Sequence, residues 1–438
     1  MKKLVYTLII ALSCFAAQAQ SIDERIGAAM NSSDYFGLYD IYHNAPKDSI
    51  NPFLEAYSRC LIGNRFNRPD ISIPAFDELL KTHSEQLDLN LLISSSVMYS
   101  MDLSRVGRNE DAHNLLSSVM TAAYQAVDSA SLAPFANMMA QYKALTRYAP
   151  YTVSFVGEKG VIPFDTIRTG KPESKQYLMR ITDAKINGTA AKITFDTGAG
   201  VNVITDSLAN VYGLERLDAG AAATGVATSA GSYTIAKELK LGNITVKDVP
   251  FYVIDISSHH EEADKYINTF EIVVGSELML QLKDVTLDFT AKEIQVPRTV
   301  SSPSGVRPNM CFSSGMNLLA SAEVNHQPIL FNLDSGNASY GRLNKAFFEA
   351  NKEYLTTHCP SDTVNQAGVG GVWSVLCYKL QDATLTIGGN SVTLPVVEVQ
   401  TEQHEAGYLD ENNLGLKSMM LFRKMRFNLV DMVLSTEL

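Results

Sequence analysis

The sequence predicts a multidomain chain in which an α-helical N-terminal domain precedes a mostly β region composed of two related halves. Between residues 20 and 149, glycines are sparse and apolar residues recur at the spacing of an amphipathic helix. From residue 150 the pattern changes to short β runs separated by turns. One of these turns occurs twice with its flanking residues, which is typical of an internal repeat. A chain of 438 residues, 46% of them hydrophobic, is long enough to bury more than one core.

The first 19 residues have the three parts of a secretory signal peptide. A basic start is followed by the apolar run Leu4–Ala17, and small residues precede an expected cleavage site after Ala19. The apolar run is too short to span a membrane comfortably. Lipoprotein anchoring through Cys14 is not expected, because the residues before it match a lipobox poorly. The sequence therefore predicts a secreted protein of the periplasm or the extracellular space, without a membrane span.

The net charge limits the classes of binding partner, and the cysteine spacing limits the metal sites and disulfides that the chain can form. The net charge of −11 argues against nucleic acid or an anionic membrane surface as a partner. Four cysteines remain after the expected cleavage, and the spacing of Cys60, Cys311, Cys359 and Cys377 fits no zinc site. Export permits disulfides, so a bridge between Cys359 and Cys377 stays open beside the interpretation that we favour, free buried thiols.

The N-terminal domain has helical spacing between Phe53 and Leu61, and a longer helix is predicted over Asn90–Val106, where Gly107 ends it. This pattern resembles a degenerate tetratricopeptide-type hairpin, a helical unit that stacks on its neighbours. Such a domain would either bind a peptide segment of a partner protein or pack against the β region. We favour packing.

An Asp-Thr/Ser-Gly turn occurs in each half of the β region. An apolar strand leads into Asp196-Thr197-Gly198 in the first half and into Asp334-Ser335-Gly336 in the second, 138 residues later. Glycine permits a tight turn there, which leaves the carboxylate at the tip of a constrained loop. Three further pairs of segments recur at offsets between 140 and 143 residues: Gly225-Val226 with Gly368-Val369, Val273-Val274-Gly275 with Asn413-Leu414-Gly415, and Leu287-Asp288-Phe289 with Phe427-Asn428-Leu429. The two halves are therefore expected to bring one carboxylate each to a turn.

Local patterns assign the remaining elements of the β region. They are a hairpin of Thr152–Val156 and Gly160–Thr166, a strand at Tyr177–Ile186, a helix at Asp206–Tyr212, strands at Phe251–Ile256, Ile272–Val274 and Val285–Val296, and a helix at Asn344–Tyr354. Serine and proline are frequent between Arg298 and Asn309, which predicts a linker. The chain is thus divided into a signal peptide (1–19), a helical domain (20–149), a first half (150–297), a linker (298–309) and a second half (310–438).

The two turns, together with the segments that recur around them, resemble the pepsin/retropepsin superfamily of aspartic proteases. The resemblance covers about residues 151–438 and implies a bilobal acid-protease fold with one lobe from each half. It implies that Asp196 and Asp334 form the catalytic pair. The residues that would support their loops are Thr197, Gly198, Ser335 and Gly336. The implied activity is that of an aspartic endopeptidase, a hydrolase in which two aspartates activate a water molecule, without a metal or organic cofactor, toward a peptide or protein substrate.

In this family a hairpin called the flap closes over the substrate, and the resemblance places it at residues 225–235. Gly225 and Tyr233 would then contact substrate. Gly368–Trp373 would be the counterpart in the second half, where Trp373, the only tryptophan of the chain, would line the cleft. A plain surface hairpin is the alternative interpretation for Tyr233, and packing is the alternative for Trp373.

Two residues of the second half depart from the family pattern. Asn413 stands where the first half has the apolar Val273, and Asn337 follows Asp-Ser-Gly where a small residue is more usual. These departures keep open a non-catalytic peptide- or protein-binding protein that retains the cleft, and a scaffold acting through the helical domain is a third interpretation. The sequence has no Gly-x-Ser-x-Gly elbow, no His-Glu-x-x-His pair and no phosphate loop. His259-His260-Glu261-Glu262 lies in a polar run that is typical of a solvated loop.

Overall fold

A computed structural model of the protein describes residues 20–123, 129–169, 176–224, 226–301, 305–404 and 411–438. The predicted signal peptide lies outside the described residues. The helices of the described ranges are α1 (Ile22–Asn31), α2 (Tyr35–Asn44), α3 (Pro52–Arg65), α4 (Pro69–Thr82), α5 (Leu89–Arg105), α6 (Asn109–Ala123), α7 (Ser129–Leu145), α8 (Asp206–Val211), α9 (Glu261–Ile267), α10 (Ser276–Leu282), α11 (Lys345–Ala350), α12 (Lys352–His358) and α13 (Leu416–Met419). Short 3-10 turns stand at Lys47–Ser49 and Ser84–Gln86. No helix of these ranges has the length and apolar character needed to cross a membrane.

Helices α1 to α7 form the N-terminal helical region, and each packs on the next helix along the chain. Local signals decide where they begin and end. Ser21 and Glu24 form a capping box at the start of α1, and the Asn51 side chain accepts from the Phe53 N–H at the start of α3. The helix predicted at Asn90–Val106 is observed one residue earlier, and Gly107 follows it with a φ of +80°, the left-handed conformation that ends helices.

The strands of the described ranges are β1 (Thr152–Phe155), β2 (Lys159–Thr169), β3 (Gln176–Ile181), β4 (Ala184–Ile186), β5 (Thr189–Ala190), β6 (Ile193–Phe195), β7 (Val203–Ile204), β8 (Glu215–Thr224), β9 (Thr228–Leu241), β10 (Ile244–Val253), β11 (Ile272–Val274), β12 (Asp284–Asp288), β13 (Glu293–Pro297), β14 (Met310–Phe312), β15 (Leu318–Val324), β16 (Gln327–Asp334), β17 (Gly341–Leu343), β18 (Ser361–Gly368), β19 (Gly371–Ile387), β20 (Asn390–Gln400), β21 (Asn412–Gly415), β22 (Lys424–Asn428) and β23 (Val433–Glu437). They form two sheets.

The first sheet contains fifteen described strands, thirteen of them in the order β23-β22-β12-β13-β2-β3-β6-β11-β7-β10-β9-β4-β5, while β1 pairs with β10 and β8 with β9. Its centre is covered on both faces, since β6 and its neighbour β11 are buried at every residue. Strands β12 and β22 pair antiparallel with Thr286 opposite Arg426. These two residues are also 140 positions apart, the offset of the sequence repeat, so repeat-related strands meet about a local two-fold axis.

The second sheet contains eight described strands in the order β14-β15-β16-β21-β17-β20-β19-β18. Its central arrangement repeats that of the first sheet. Strand β16, which ends at Asp334, lies parallel to β21, just as β6, which ends before Asp196, lies parallel to β11. The two Asp-Thr/Ser-Gly turns therefore leave matched positions in the two sheets.

Three details of strand pairing differ from the sequence prediction. Strands β1 and β2 do not form the predicted hairpin, because β1 pairs with β10 while β2 pairs with β3 and β13. The strand predicted at Tyr177–Ile186 is divided into β3 and β4. The hairpin of β22 and β23 comes from the segment predicted as the second half, yet it joins the first sheet.

The helical region contacts both ends of the β region. At one end, the Arg65 guanidinium donates to the Ser313 carbonyl at 2.8 Å, and the Asn67 side chain donates to the Leu429 carbonyl at 2.7 Å. At the other end, α7 packs along β8. One continuous apolar core includes buried residues of the helices and of both sheets. The helical region is therefore packed against the β region, which is the arrangement we favoured; binding of a partner by this region stays a prediction.

Candidate active site

Asp196 and Asp334 lie where the two sheets meet. Asp196 follows β6, and its N–H donates to the Val274 carbonyl of the parallel neighbour β11 at 3.0 Å. Asp334 is the last residue of β16. Because each strand is held in the middle of its sheet, both carboxyl groups project from rigid elements.

The two turns are joined by four hydrogen bonds that Thr197 and Ser335 make, two of them directly with each other. The Thr197 N–H donates to Ser335 Oγ at 3.0 Å, and the Ser335 N–H donates to Thr197 Oγ1 at 3.0 Å. Each hydroxyl then donates to a carbonyl of the opposite turn, Thr197 to Leu333 at 2.6 Å and Ser335 to Phe195 at 2.8 Å. Both side chains are buried, so water does not compete for these bonds.

The glycines of the two turns allow the loops to approach each other. A Cβ atom on Gly198 would lie 2.6 Å from the carboxyl carbon of Asp334, and a Cβ atom on Gly336 would meet the carboxyl oxygens of Asp196. Any larger residue would therefore push the two aspartates apart. Glycine is required at these positions by the close approach of the opposite side chain.

The two carboxyl groups face each other at close range, because the Gly336 N–H lies within hydrogen-bond reach of both, 2.9 Å from Asp334 Oδ1 and 3.2 Å from Asp196 Oδ1. Two carboxyl oxygens can bond directly only if one of them carries a proton. Backbone donors surround both groups: Asp196 Oδ1 accepts from Gly198 at 2.9 Å, and Asp334 Oδ1 accepts from Gly336 at 2.9 Å. Burial, followed by the neighbouring charge of Asp334, raises the pKa of Asp196 well above its ordinary value. The pair is therefore set to share one proton.

Two asparagines contact Asp334 or its neighbourhood, and both are the residues that depart from the family pattern. Asn413 Nδ2 donates to Asp334 Oδ2 at 2.7 Å. Asn337 donates its N–H to Asp334 Oδ1 at 3.0 Å and its Nδ2 to Asn413 Oδ1 at 2.7 Å. The sequence identified Asn413 and Asn337 only as departures, and the structure connects them to the carboxylate.

Two hairpins meet at their tips. The first hairpin is β8 with β9, and the second hairpin is β18 with β19. The Ala227 N–H of the first tip donates to the Val369 carbonyl of the second at 3.1 Å. The Val369 side chain lies in an apolar cluster with Tyr266 of α9, whose hydroxyl donates to the Gly336 carbonyl at 3.0 Å. Tyr266, which had no signal in the sequence, thus connects the hairpin tips to the Asp334 turn.

The structure places the three predicted substrate-contacting residues differently. Gly225 lies outside the described residues. Tyr233 is only 3% exposed and packs edge-on against Tyr252, in a cluster with Leu145 of α7. It therefore offers no surface to a substrate, which contradicts the role predicted for it. Trp373 stands on β19, two residues beyond the start of that strand, with its ring edge-on to His404 at 4.7 Å.

The remaining sequence candidates lie away from the aspartates. Across the described ranges, no three His, Cys, Asp or Glu side chains gather where they could hold a metal ion. His259 and Glu261 are exposed, at the start of α9. The four cysteines predicted for the mature chain are free thiols, three of them buried, so Cys359 and Cys377 do not form a bridge.

Comparison with known proteins covers part of this site. Residues 182–277, which include Asp196, match the family model "Aspartyl protease". Among solved structures, the chain is similar to a retropepsin-like aspartic protease from Rickettsia conorii, with 14% identity and a TM-score of 0.21 over 34% of this chain and 96% of that chain. No curated protein matches the sequence. The chain thus contains a segment similar to the aspartyl protease family, and this segment ends before the second turn.

Proposed function

We propose that the protein is an aspartic endopeptidase that hydrolyses peptide bonds with Asp196 and Asp334. The observation that carries this proposal is the close approach of the two carboxyl groups, which share the Gly336 N–H and are held by the reciprocal Thr197 and Ser335 bonds. The similarity of residues 182–277 to aspartyl proteases supports the same chemistry for the first turn. The two halves of the β region would then be the two lobes of the enzyme.

The proposed reaction needs one ionised and one protonated carboxyl group. The ionised member takes a proton from a water molecule while the oxygen of that water bonds to the carbonyl carbon of the substrate. The protonated member donates its proton to the carbonyl oxygen, which becomes a hydroxyl of the tetrahedral intermediate. A proton then passes to the leaving amine as the C–N bond breaks. The raised pKa of Asp196 supports a pair that retains one proton.

An extended peptide would lie between the aspartate pair and the two hairpins. Both hairpins would act as flaps and pair with the peptide backbone as strands do. Their tips contact each other through Ala227 and Val369. Substrate entry therefore requires the tips to separate, and closure would shield the bound peptide and the attacking water from bulk solvent.

The helical region and the destination of the protein complete the proposal. We propose that α1 to α7 are a degenerate tetratricopeptide-like array whose main role is packing against the β region. The basic start and the short apolar run of the N-terminus support export to the periplasm or beyond. The substrate would then be an extracytoplasmic peptide or protein.

Cleavage of a peptide library from acid to neutral pH, with and without a statine-type inhibitor, tests this function. A statine hydroxyl resembles the tetrahedral intermediate and should bind between the two aspartates. Cleavage that the inhibitor abolishes would support the proposal. Tight binding of extended peptides with no cleavage at any pH would instead show a recognition protein that retains the cleft.

A further inference from the structure

Each aspartate accepts from two backbone N–H groups of its own turn, and the Gly336 N–H also lies 3.2 Å from Asp196 Oδ1. The side-chain contacts of the two aspartates differ more. At the position of the first sheet that matches Asn413 stands Val273, an apolar residue that is 8% exposed. At the position that matches Asn337 stands Ala199. A side-chain amide therefore reaches Asp334, and the matched side chain beside Asp196 has no donor.

The direction of the hydrogen bonds around Asn413 follows from the backbone. The Ser339 N–H, which can only donate, gives its hydrogen to Asn337 Oδ1 at 2.9 Å. The Asn337 amide group must then point its Nδ2 at Asn413 Oδ1, and Asn413 must point its own Nδ2 at Asp334 Oδ2, both at 2.7 Å. Amide orientation is usually ambiguous, but a chain that begins at a backbone donor removes the ambiguity.

An amide N–H bonds more strongly to a carboxylate than to a carboxylic acid. Asn413 is 4% exposed, so water does not substitute for this bond. We propose that Asn413 is a positioning residue that holds Asp334 as the ionised member of the pair and leaves the shared proton on Asp196. The separate effect of burial on Asp196, whose pKa is raised, acts in the same direction.

The consequence for catalysis rests on the proposed proteolysis. Asp334 would take the proton from the attacking water, and Asp196 would donate its proton to the carbonyl oxygen of the substrate. The water oxygen forms the bond to the carbonyl carbon, so atoms and charges balance within the pair. The two departures from the family pattern would then assign the two roles rather than weaken the second turn.

Other ionisable groups surround Asp334, and the test has to separate them. On the elements packed around it they are Asp196, Tyr266 of α9, Glu411 just before β21, Arg342 of β17 and Lys417 of α13. Burial raises the pKa of Glu411, which accepts from Asn332 at 3.3 Å on the strand of Asp334. Glu411 lies two residues before Asn413, next to the start of the same strand, so Glu411→Gln is the matched control.

The first readout is the pH dependence of kcat/KM for the full chain, its Asn413→Val variant and the Glu411→Gln control. Asn413→Val installs the residue of the first sheet and should move the acid limb of the profile up by about one pH unit. Asn337→Ala, which removes only the orienting partner, should give a smaller shift in the same direction. The control should leave the acid limb in place. A uniform fall of kcat/KM with an unmoved acid limb would show that Asn413 is merely structural.

The second readout needs no turnover. Stability supplied by the Asn413 bond is present while Asp334 is ionised and is lost as acid protonates the pair. The difference in melting temperature between the native sequence and Asn413→Val should therefore be largest near neutral pH and shrink at acid pH. A difference that stays constant with pH would overturn the assignment.

The two readouts together separate this assignment from the proposed proteolysis. If the difference in melting temperature shrinks at acid pH while the native sequence cleaves no peptide, the proposed proteolysis fails and the proton assignment stands. If cleavage occurs and neither readout changes, the assignment alone fails.

Discussion

The surroundings of Asp196 and Asp334 differ more than their turns do. Each turn has a hydroxyl residue, Thr197 or Ser335, that bonds to the other turn, a glycine after it, and a parallel neighbour of the strand before it. Outside that frame, Asn413 donates to Asp334, whereas the matching position of the first sheet is the apolar Val273. A repeated backbone frame can therefore hold two like carboxyl groups in one geometry, while single side chains around it decide how each group behaves.

The two hairpins also share a backbone arrangement and differ in the contacts that hold them. Strand β8 of the first hairpin is held by the helical region, because the Gln141 side chain of α7 donates to the Gly220 carbonyl at 2.7 Å. Strand β18 of the second hairpin is the last described strand at one edge of its sheet. The first hairpin is thus held by the helical region, whereas the Gly370 N–H at the tip of the second donates to the Ser257 carbonyl of the first half at 3.0 Å.

The largest expected effect tests whether the two turns act as one unit. Asp196→Asn and Asp334→Asn each remove the shared proton while preserving shape, so each alone should lower kcat by about 10⁴-fold. The double variant should be little worse than either single one, because residues that act together are strongly non-additive. Steady-state kinetics on a cleaved peptide provides the measurement, with peptide affinity as the control that the cleft survives. Independent, multiplying losses would show two separate groups.

The four hydrogen bonds of Thr197 and Ser335 predict that loss of either hydroxyl lowers stability by a similar amount. Thr197→Val and Ser335→Ala each remove two buried hydrogen bonds and leave their partners unsatisfied, which should lower the free energy of unfolding by about 3–5 kcal/mol. Denaturant unfolding of both variants gives the comparison. Because the four bonds are reciprocal, similar losses are expected; a large loss for one variant and none for the other would mean that one turn carries the fold alone.

The two halves of the β region also differ in one titratable residue, Glu277. Glu277 of α10 is matched by Lys417 of α13 at the repeat offset of 140. Burial raises the pKa of Glu277 to about 7, although hydrogen bonds from Tyr151 and the Asn202 backbone oppose the shift. The native state thus holds a proton that the unfolded chain releases, so stability falls as pH rises from the ordinary pKa of 4.5 through about 7.

Glu277→Gln should remove this cost. The variant is expected to gain about 3 kcal/mol of unfolding free energy near pH 8 and almost nothing near pH 4, where Glu277 is protonated in both states. Thermal unfolding at the two pH values measures the difference. Lys417→Gln is the matched control in the second half and should not reproduce this pH dependence. A gain for Glu277→Gln that is equal at both pH values would point to packing rather than charge.

The smallest expected effect concerns the hairpins. Gln141→Ala removes the donor to Gly220 and an acceptor for the Tyr252 hydroxyl, so the first hairpin should open more easily by about 1 kcal/mol. Amide hydrogen exchange in β8 and β9 should accelerate by about 5-fold. The second hairpin, β18 with β19, is the internal control and should exchange as before. Equal acceleration in both hairpins would show that the tip contact, rather than α7, governs opening.

The sequence by itself determined the features that short-range chemistry controls. Gly107 ends a helix because the chain takes the left-handed conformation there, which glycine adopts without strain. Asn344 caps α11 because its side chain accepts from the Phe347 N–H. Strand β11 has the predicted bounds, because a short apolar run can be identified from the sequence without knowing which strands pair with it. The positions of Asp196 and Asp334 were found from the repeat, since a tight turn with glycine leaves a local mark.

Only the tertiary structure decided what depends on groups distant in the chain. Strand β1 pairs with β10, nearly a hundred residues away, and nothing local distinguishes that partner from β2. Tyr233 is buried because α7 lies over its hairpin, although its own segment is typical of an exposed turn. Asn413 reaches Asp334 because β21 lies parallel to β16, and the hydrogen bond exists only once that pairing has formed. Long-range pairing carries no signal within a short window, so these contacts appear only in the folded chain.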